Sequence, residues 1–333
     1  MANTEFIHSL PKAELHLHLE GSVDPETLLE LSRRHDATPL SPGQIHALYR
    51  YSDFHGFMMA FKAVTERLRT PEDFELIVYR LMERLHSQNV LHAEVYVSVG
   101  VLLWRGEEVD PIFAALERGR LRGERDFSAS LLWIFDAVRH FGVEAAGKVF
   151  EKAVEYKDRN VVAIGIGGDE RRASAELFKD LYRQARENGL RLTAHAGETL
   201  GPESIWGALN IGAERIGHGL NAYADSELLR VLSERQVPVE ICMTSNLRTG
   251  CLDDLNRHPV RRYFEEGLMV TLNTDDPAMF GTSLEREYQI AADLFEFTDE
   301  HLRELARNSF EASFLPSEKK LHFLRMLDNA VLR

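Results

Sequence analysis

The sequence predicts an α/β fold, a closed (β/α)8 barrel of the TIM type, on three observations. Eight short β-rich runs alternate with helical patterns along 333 residues, a length that one such barrel fills. Several runs, VVAIGIGG and LLWIF among them, are almost continuously apolar, as parallel strands covered on both faces must be. No G-x-G-x-x-G turn follows the first strand, which counts against the runner-up, a doubly wound open sheet.

In chain order the candidate strands are 13–19, 92–99, 128–137, 161–168, 191–197, 215–219, 238–245 and 269–276. Residues 173–188 carry Leu177, Leu181 and Ala185 at i, i+4 and i+8 and stop at Gly189, a helical stripe. Residues 202–209 and 225–235 read the same way. The extra length falls between strands one and two, where 24–84 holds several helical patterns. It reads as a helical lid inserted into one catalytic domain spanning 1–333. Within it Phe54, Phe57, Met58 and Phe61 fall at i, i+3, i+4 and i+7 on one apolar face. That face is either a core stripe or the wall of a pocket.

Composition narrows the partners. Hydrophobic residues make up 44% and charged residues 28%, as in an ordinary globular chain. A net charge of −14 argues against nucleic acid, whose binding rests on neutralising phosphates. Arg118, Arg120, Arg122 and Arg125 are the local exception and read as a solvated helix end or loop. Cys242 and Cys251 belong to no C-x-x-C pair, which fits a reducing compartment. The first residues lack an apolar signal core, and no stretch approaches the ~18 apolar residues of a membrane span. The expectation is a cytoplasmic protein with no nucleic-acid or membrane partner.

Barrels of this kind do their chemistry at the C-terminal ends of the strands. Strand one ends H-L-H-L-E (His16, His18, Glu20), strand five H-A-G-E (His195, Glu198), strand six at His218, and strand eight at Asp275 and Asp276. Alternate strand residues share a face, so His16 and His18 project together into the barrel mouth. With His195 and Asp275 they make three imidazoles and a carboxylate, a donor set suited to Zn²⁺ without any thiolate. A metal-activated water still needs a base to orient it and an acid to protonate the electrophile. Glu198, His218 and Asp276 flank the same opening.

The motifs HLHLEGS, GGDE, HAGE, ERIGHG, TSN and NTDDP follow one another as in a known family. From LPKAELHLHLEGS to TLNTDDPAMFGTSL the chain resembles the adenosine deaminase family of the amidohydrolase superfamily. The resemblance implies that His16, His18, His195 and Asp275 hold one zinc ion per chain. It implies that Glu198 protonates N1 of a 6-aminopurine nucleoside and that His218 orients and deprotonates the attacking water. Asp276 would contact N7 and help position that water, the Gly168 N–H would bond N3, and His18 and Glu20 would face the sugar side. The cysteine-liganded deaminases are a different class, and their H-x-E…P-C-x-x-C motif is not here.

Two departures bear on the substrate. Nucleoside-specific members commonly carry Asp where this chain has Glu20, and many adenosine-specific members carry Asp in place of Gly165. The run HAGETLGPESIWGAL looks most like members acting on 6-amino-6-deoxyfutalosine, an adenine nucleoside with a carboxyphenyl extension at C5′, in a menaquinone route. Adenosine ranks second, and adenine or another 6-aminopurine third. Phe54, Phe57, Phe61 and Trp104 are candidate walls for the extension, and Arg171 and Arg172 candidate partners for its carboxylate. A non-catalytic purine-binding relative stays open as another class, although such a protein should have lost a ligand, Glu198 or His218. Two-metal relatives use a strand-four lysine, and VVAIGIGG has none.

Overall fold

The computed structural model of the protein describes residues 4–51 and 54–330, with Phe54 and His55 described by their backbone alone. Its strands are β1 (Lys12–His18), β2 (Val90–Val97), β3 (Ser130–Val138), β4 (Val161–Gly167), β5 (Arg191–Ala196), β6 (Arg215–His218), β7 (Val239–Ile241) and β8 (Val270–Leu272). They pair in sequence order, each neighbour parallel to the last. Asp275 closes the ring: its N–H donates to the His16 carbonyl at 3.0 Å, and its own carbonyl accepts from the His18 N–H at 2.8 Å. The barrel thus closes through a residue of the candidate site.

The last two strands are shorter than expected. β7 stops at Ile241 because Met243–Arg248, which contains TSN, is already helical. β8 stops at Leu272, and the chain turns through Asp275 at φ +65° before the helix Pro277–Phe280. The helical reading of 173–188 also shifts. A 3-10 turn, Ala175–Phe178, leads into the helix Lys179–Glu187, and the buried stripe is Phe178, Tyr182 and Ala185. Leu177 is 59% exposed. The tighter 3-10 winding rotates the stripe by one residue.

The barrel interior is unusually charged. Arg215 of β6 pairs with Glu94 of β2 at 2.5 Å and, through Nε, with Glu240 of β7 at 2.6 Å, all three fully buried. Its guanidinium lies 3.9 Å from the ring centre of Phe314, which with Tyr96, Ile134 and Ala163 forms a second apolar cluster. Removing one of these paired charges would leave another buried and uncompensated, at a cost of about 3–5 kcal/mol. They also form the floor on which the site stands.

Four helices, Pro25–His35, Pro42–Leu48, Phe54–Thr65 and Pro71–Ser87, fill the segment between β1 and β2. Asp24, Ser41 and Thr70 cap three of them, each with proline at the first helical position. The arginine run belongs to the helix Val109–Phe127, and each guanidinium has a partner, two of them on the helix Pro71–Ser87. Arg118 pairs with Glu75, Arg122 lies over the Tyr79 ring and Arg125 pairs with Asp126. Arg120 is buried between Glu117 and Glu124, contrary to its reading as a solvated charge. Among the described residues no helix is long and apolar enough to cross a membrane.

Candidate active site

Inward-facing positions of β1 bring His16 and His18 to the barrel mouth, β5 brings His195, and the turn after β8 brings Asp275. One ligand atom from each of the four lies within 4.8 Å of every other. Nε2 of His18 is 3.3 Å from Nε2 of His195 and 3.3 Å from Oδ1 of Asp275. Nε2 of His16 is 3.6 Å from that same oxygen and, though buried, meets no hydrogen-bond partner among the described residues.

Hydrogen bonds from beneath decide which nitrogen each ring offers. Nδ1 of His16 donates to Oε2 of Glu240 at 2.8 Å, and Nδ1 of His195 donates to the Ile166 carbonyl at 3.1 Å. In its neutral form each ring therefore presents an Nε2 lone pair to the cluster. Burial pushes His18 down to about 4 and His195 well below its ordinary value, so both are neutral. Burial disfavours charge on His16 too, but the Asp275 and Glu240 carboxylates outweigh it and raise that ring to about 10. Ser245 Oγ donates to the other oxygen of Asp275 at 2.6 Å. Two neutral imidazoles, an oriented carboxylate and a buried His16 nitrogen whose extra proton a cation would replace fit a divalent ion such as Zn²⁺.

His218 and Asp275 both adopt φ +65°, a left-handed conformation rare outside glycine and worth of order 1–3 kcal/mol of strain. Nε2 of His218 lies 3.7 Å from Oε2 of Glu198. Burial pushes the Glu198 carboxyl up, so it keeps a proton to higher pH than an ordinary glutamate. The Cys251 thiol donates to its Oε1 at 3.7 Å. Asp276 sits against the turn Glu20–Ser22 so closely that a Cβ at Gly21 would fall 1.8 Å from its Oδ1. Burial and the adjacent Asp275 raise Asp276 well above the usual carboxylate range. Glu20 accepts from the Ser98 N–H at 3.1 Å, and burial raises it to about 7. Gly168, at φ +87°, is exposed at the end of β4.

Several contributors escaped the sequence reading. Glu170, of GGDE, accepts the N–H groups of Gly197, Glu198 and Thr199 at 3.0, 2.9 and 3.1 Å and so shapes the turn that carries Glu198. Asp136, buried at the end of β3, faces Gly165 in register, and a Cβ there would lie 3.0 Å from its Oδ1. The same Cβ would fall 2.9 Å from Cε1 of Tyr96, so any side chain at 165 meets that ring first, and an aspartate would also press a second carboxylate against Asp136. Glu240, Glu94 and Arg215 were also missed. Their signal was a charge inside otherwise apolar strand runs.

The expected pocket walls divide. Phe57 stacks on Phe280 with ring centres 5.1 Å apart, close after Asp276, and lies 6.1 Å from Phe61. The side chain of Phe54 lies outside the described residues. Met58 is 43% exposed and so does not share a buried face with Phe57. Trp104, 72% exposed, stacks on Phe141 at 5.7 Å. Arg171 and Arg172 lie on the exposed turn after β4.

Known proteins resemble this chain over nearly its whole length. The adenosine deaminase family profile matches residues 11–330. An aminodeoxyfutalosine deaminase of Streptomyces avermitilis is 38% identical over 328 residues, covering 97% of this chain and 92% of that protein. The crystal structure of an adenine deaminase from Arthrobacter aurescens superposes with a TM-score of 0.92 at 29% identity, over 97% of this chain and all (100%) of that one. A zinc-bound amidohydrolase from Burkholderia ambifaria gives 0.87 at 28% identity, over 98% of this chain and 93% of that one.

Proposed function

The chain belongs to the adenosine deaminase family and is a hydrolytic aminohydrolase of purine type, and from that premise we propose that it removes the 6-amino group of a 6-aminopurine nucleoside with one bound Zn²⁺. His16, His18, His195 and Asp275 hold the ion in this reading. The observation that carries it is the convergence of those four ligand atoms within 4.8 Å, with Glu198 and His218 3.7 Å apart beside them.

The net reaction exchanges C6–NH2 for C6=O, consuming water and releasing ammonia. Zinc, when bound, supplies a water acidic enough to attack near neutral pH, its pKa brought down to about 7. The protein's own groups do the rest. Glu198 delivers a proton to N1, which makes C6 electrophilic, and its burial keeps that proton available. His218 orients the attacking water, Asp276 contacts N7, and the Gly168 N–H bonds N3. His18 and Glu20 face the sugar side.

For the substrate, aminodeoxyfutalosine is the first choice, supported by the Streptomyces relative. The exposed Trp104–Phe141 stack, with Arg172 on the neighbouring turn, suits an aryl carboxylate. On this reading the 24–84 segment is a lid over the pocket, and the chain works in the cytoplasm as a single catalytic domain. Free adenine is the second reading, favoured by the Arthrobacter structure. Turnover of aminodeoxyfutalosine, adenosine and adenine by the zinc-loaded protein, followed as loss of the 6-aminopurine chromophore, separates them.

A further inference from the structure

Asn246 of the TSN motif and His258, which lies outside every motif, sit behind His218 with no part yet in the chemistry. We propose that Asn246 and His258 are positioning residues that fix which ring nitrogen of His218 carries its proton, so that His218 meets the reacting water as an Nε2–H donor.

The argument starts from a backbone amide. The Val260 N–H donates to Nδ1 of His258 at 3.1 Å. A backbone N–H can only donate, so Nδ1 of His258 must carry a lone pair, and a neutral ring then has its one proton on Nε2. Pro259 has no N–H, which makes Val260 the first donor available at the start of the helix Val260–Glu265. Burial pushes His258 down to about 3, so the ring is neutral.

Nε2 of His258 lies 3.2 Å from Oδ1 of Asn246, the one accepting atom of that amide. This contact fixes the amide's orientation. Nδ2 of Asn246 is thereby turned to Nδ1 of His218 at 3.2 Å. An amide NH2 donates and cannot accept, so Nδ1 of His218 keeps its lone pair. A neutral His218 then holds its proton on Nε2, the nitrogen 3.7 Å from Glu198. His258, Asn246 and His218 are 4%, 0% and 1% exposed, so solvent does not enter the relay. The polarity set at residue 260 reaches the site intact.

This revises the expected role of His218. As an Nε2–H donor it orients the water through the water's oxygen, and the proton the water gives up passes to the Glu198 carboxylate, 3.7 Å from the ring, once that group has protonated N1. The inference rests on the deaminase reading for its use, but the relay itself is visible without turnover.

The test is ¹⁵N spectroscopy of the zinc-loaded, ¹⁵N-histidine-labelled protein, with the His218 signals assigned by their loss in His218→Gln. The expected result is an unprotonated, pyridine-type Nδ1 and a protonated, pyrrole-type Nε2. In Asn246→Asp the carboxylate can only accept, so the Nδ1 signal should change to the protonated, pyrrole type. Asn246→Asp and His258→Ala should each lower kcat by about 10- to 100-fold with KM little changed, the range for residues that orient a site from behind. A pyrrole-type Nδ1 in the native protein overturns the proposal, as do unchanged ring signals in Asn246→Asp. If the variants do not fold, the native spectrum alone decides. Absence of turnover by the native protein would count against the deaminase reading and leave the spectrum to judge the relay.

Discussion

Glu240 stands beneath His16, its Oε2 2.8 Å from the ring's Nδ1, and ties a candidate metal ligand to the charged floor of the barrel. Burial works against the carboxylate charge, but Arg215 outweighs it and keeps Glu240 ionised. The ionised form accepts the Nδ1 proton and leaves Nε2 free. Glu240→Gln should therefore weaken zinc binding by about 10- to 100-fold, measured by competition with a chelator. Unchanged affinity would mean that this hydrogen bond does not prepare the ligand.

The ligands themselves come next. His195→Ala or Asp275→Ala leaves three ligands, and metal content and activity should disappear together. Elemental analysis after dialysis checks this. Stoichiometric zinc retained in both variants would refute the ligand assignment.

Glu198→Gln keeps the shape of the side chain but removes its proton. Zinc content should stay, and kcat should fall by roughly 10²-fold or more, as for a lost general acid. The pH profile carries the same information. Burial raises the folded carboxyl above its ordinary value of 4.5, and the protonated form is the active one. Activity therefore persists below that raised pKa and declines as pH rises through it, giving an alkaline limb placed above the ordinary carboxylate range. The limb should vanish from the residual activity of the variant. A kcat change under about threefold would assign the acid elsewhere.

Glu170 predicts an effect at one remove. Its carboxylate collects three successive N–H groups at 197–199 and the Ser204 hydroxyl. Glu170→Gln puts a donor where acceptors are needed, leaving at least one buried N–H unmet at a cost of about 1–3 kcal/mol. The turn should loosen, with kcat down by about tenfold and zinc content unchanged. Crystallography or hydrogen exchange of 197–199 would show whether the turn moved.

Much of this was readable in the linear sequence, for a physical reason. Strands β1 and β5 carry their histidines at alternate or near-terminal positions, so strand geometry brings His16, His18 and His195 to one mouth. Glu240, Glu170, Asn246 and His258 were not readable as site residues, because they act through hydrogen bonds across as many as 224 positions and leave no local period. Glu240 in PVEIC and Glu94 in HAEVYV did leave one trace, a charge inside a strand buried on both faces. The shifted stripe at Phe178 and Tyr182 shows the opposite failing. There the period was read as α-helical where the first turn winds as 3-10.

The central claim is that this zinc site deaminates a 6-aminopurine nucleoside, and the most direct measurement is kcat/KM of the zinc-loaded protein on a substrate panel. The panel comprises aminodeoxyfutalosine, methylthioadenosine, adenosine and adenine, each followed by loss of the 6-amino chromophore and release of ammonia. The account predicts the highest kcat/KM for aminodeoxyfutalosine, adenosine slower because it lacks the remote binding energy of the aryl carboxylate, and adenine slowest. Adenine turned over faster than every nucleoside, or no turnover of any member with zinc bound, would contradict it.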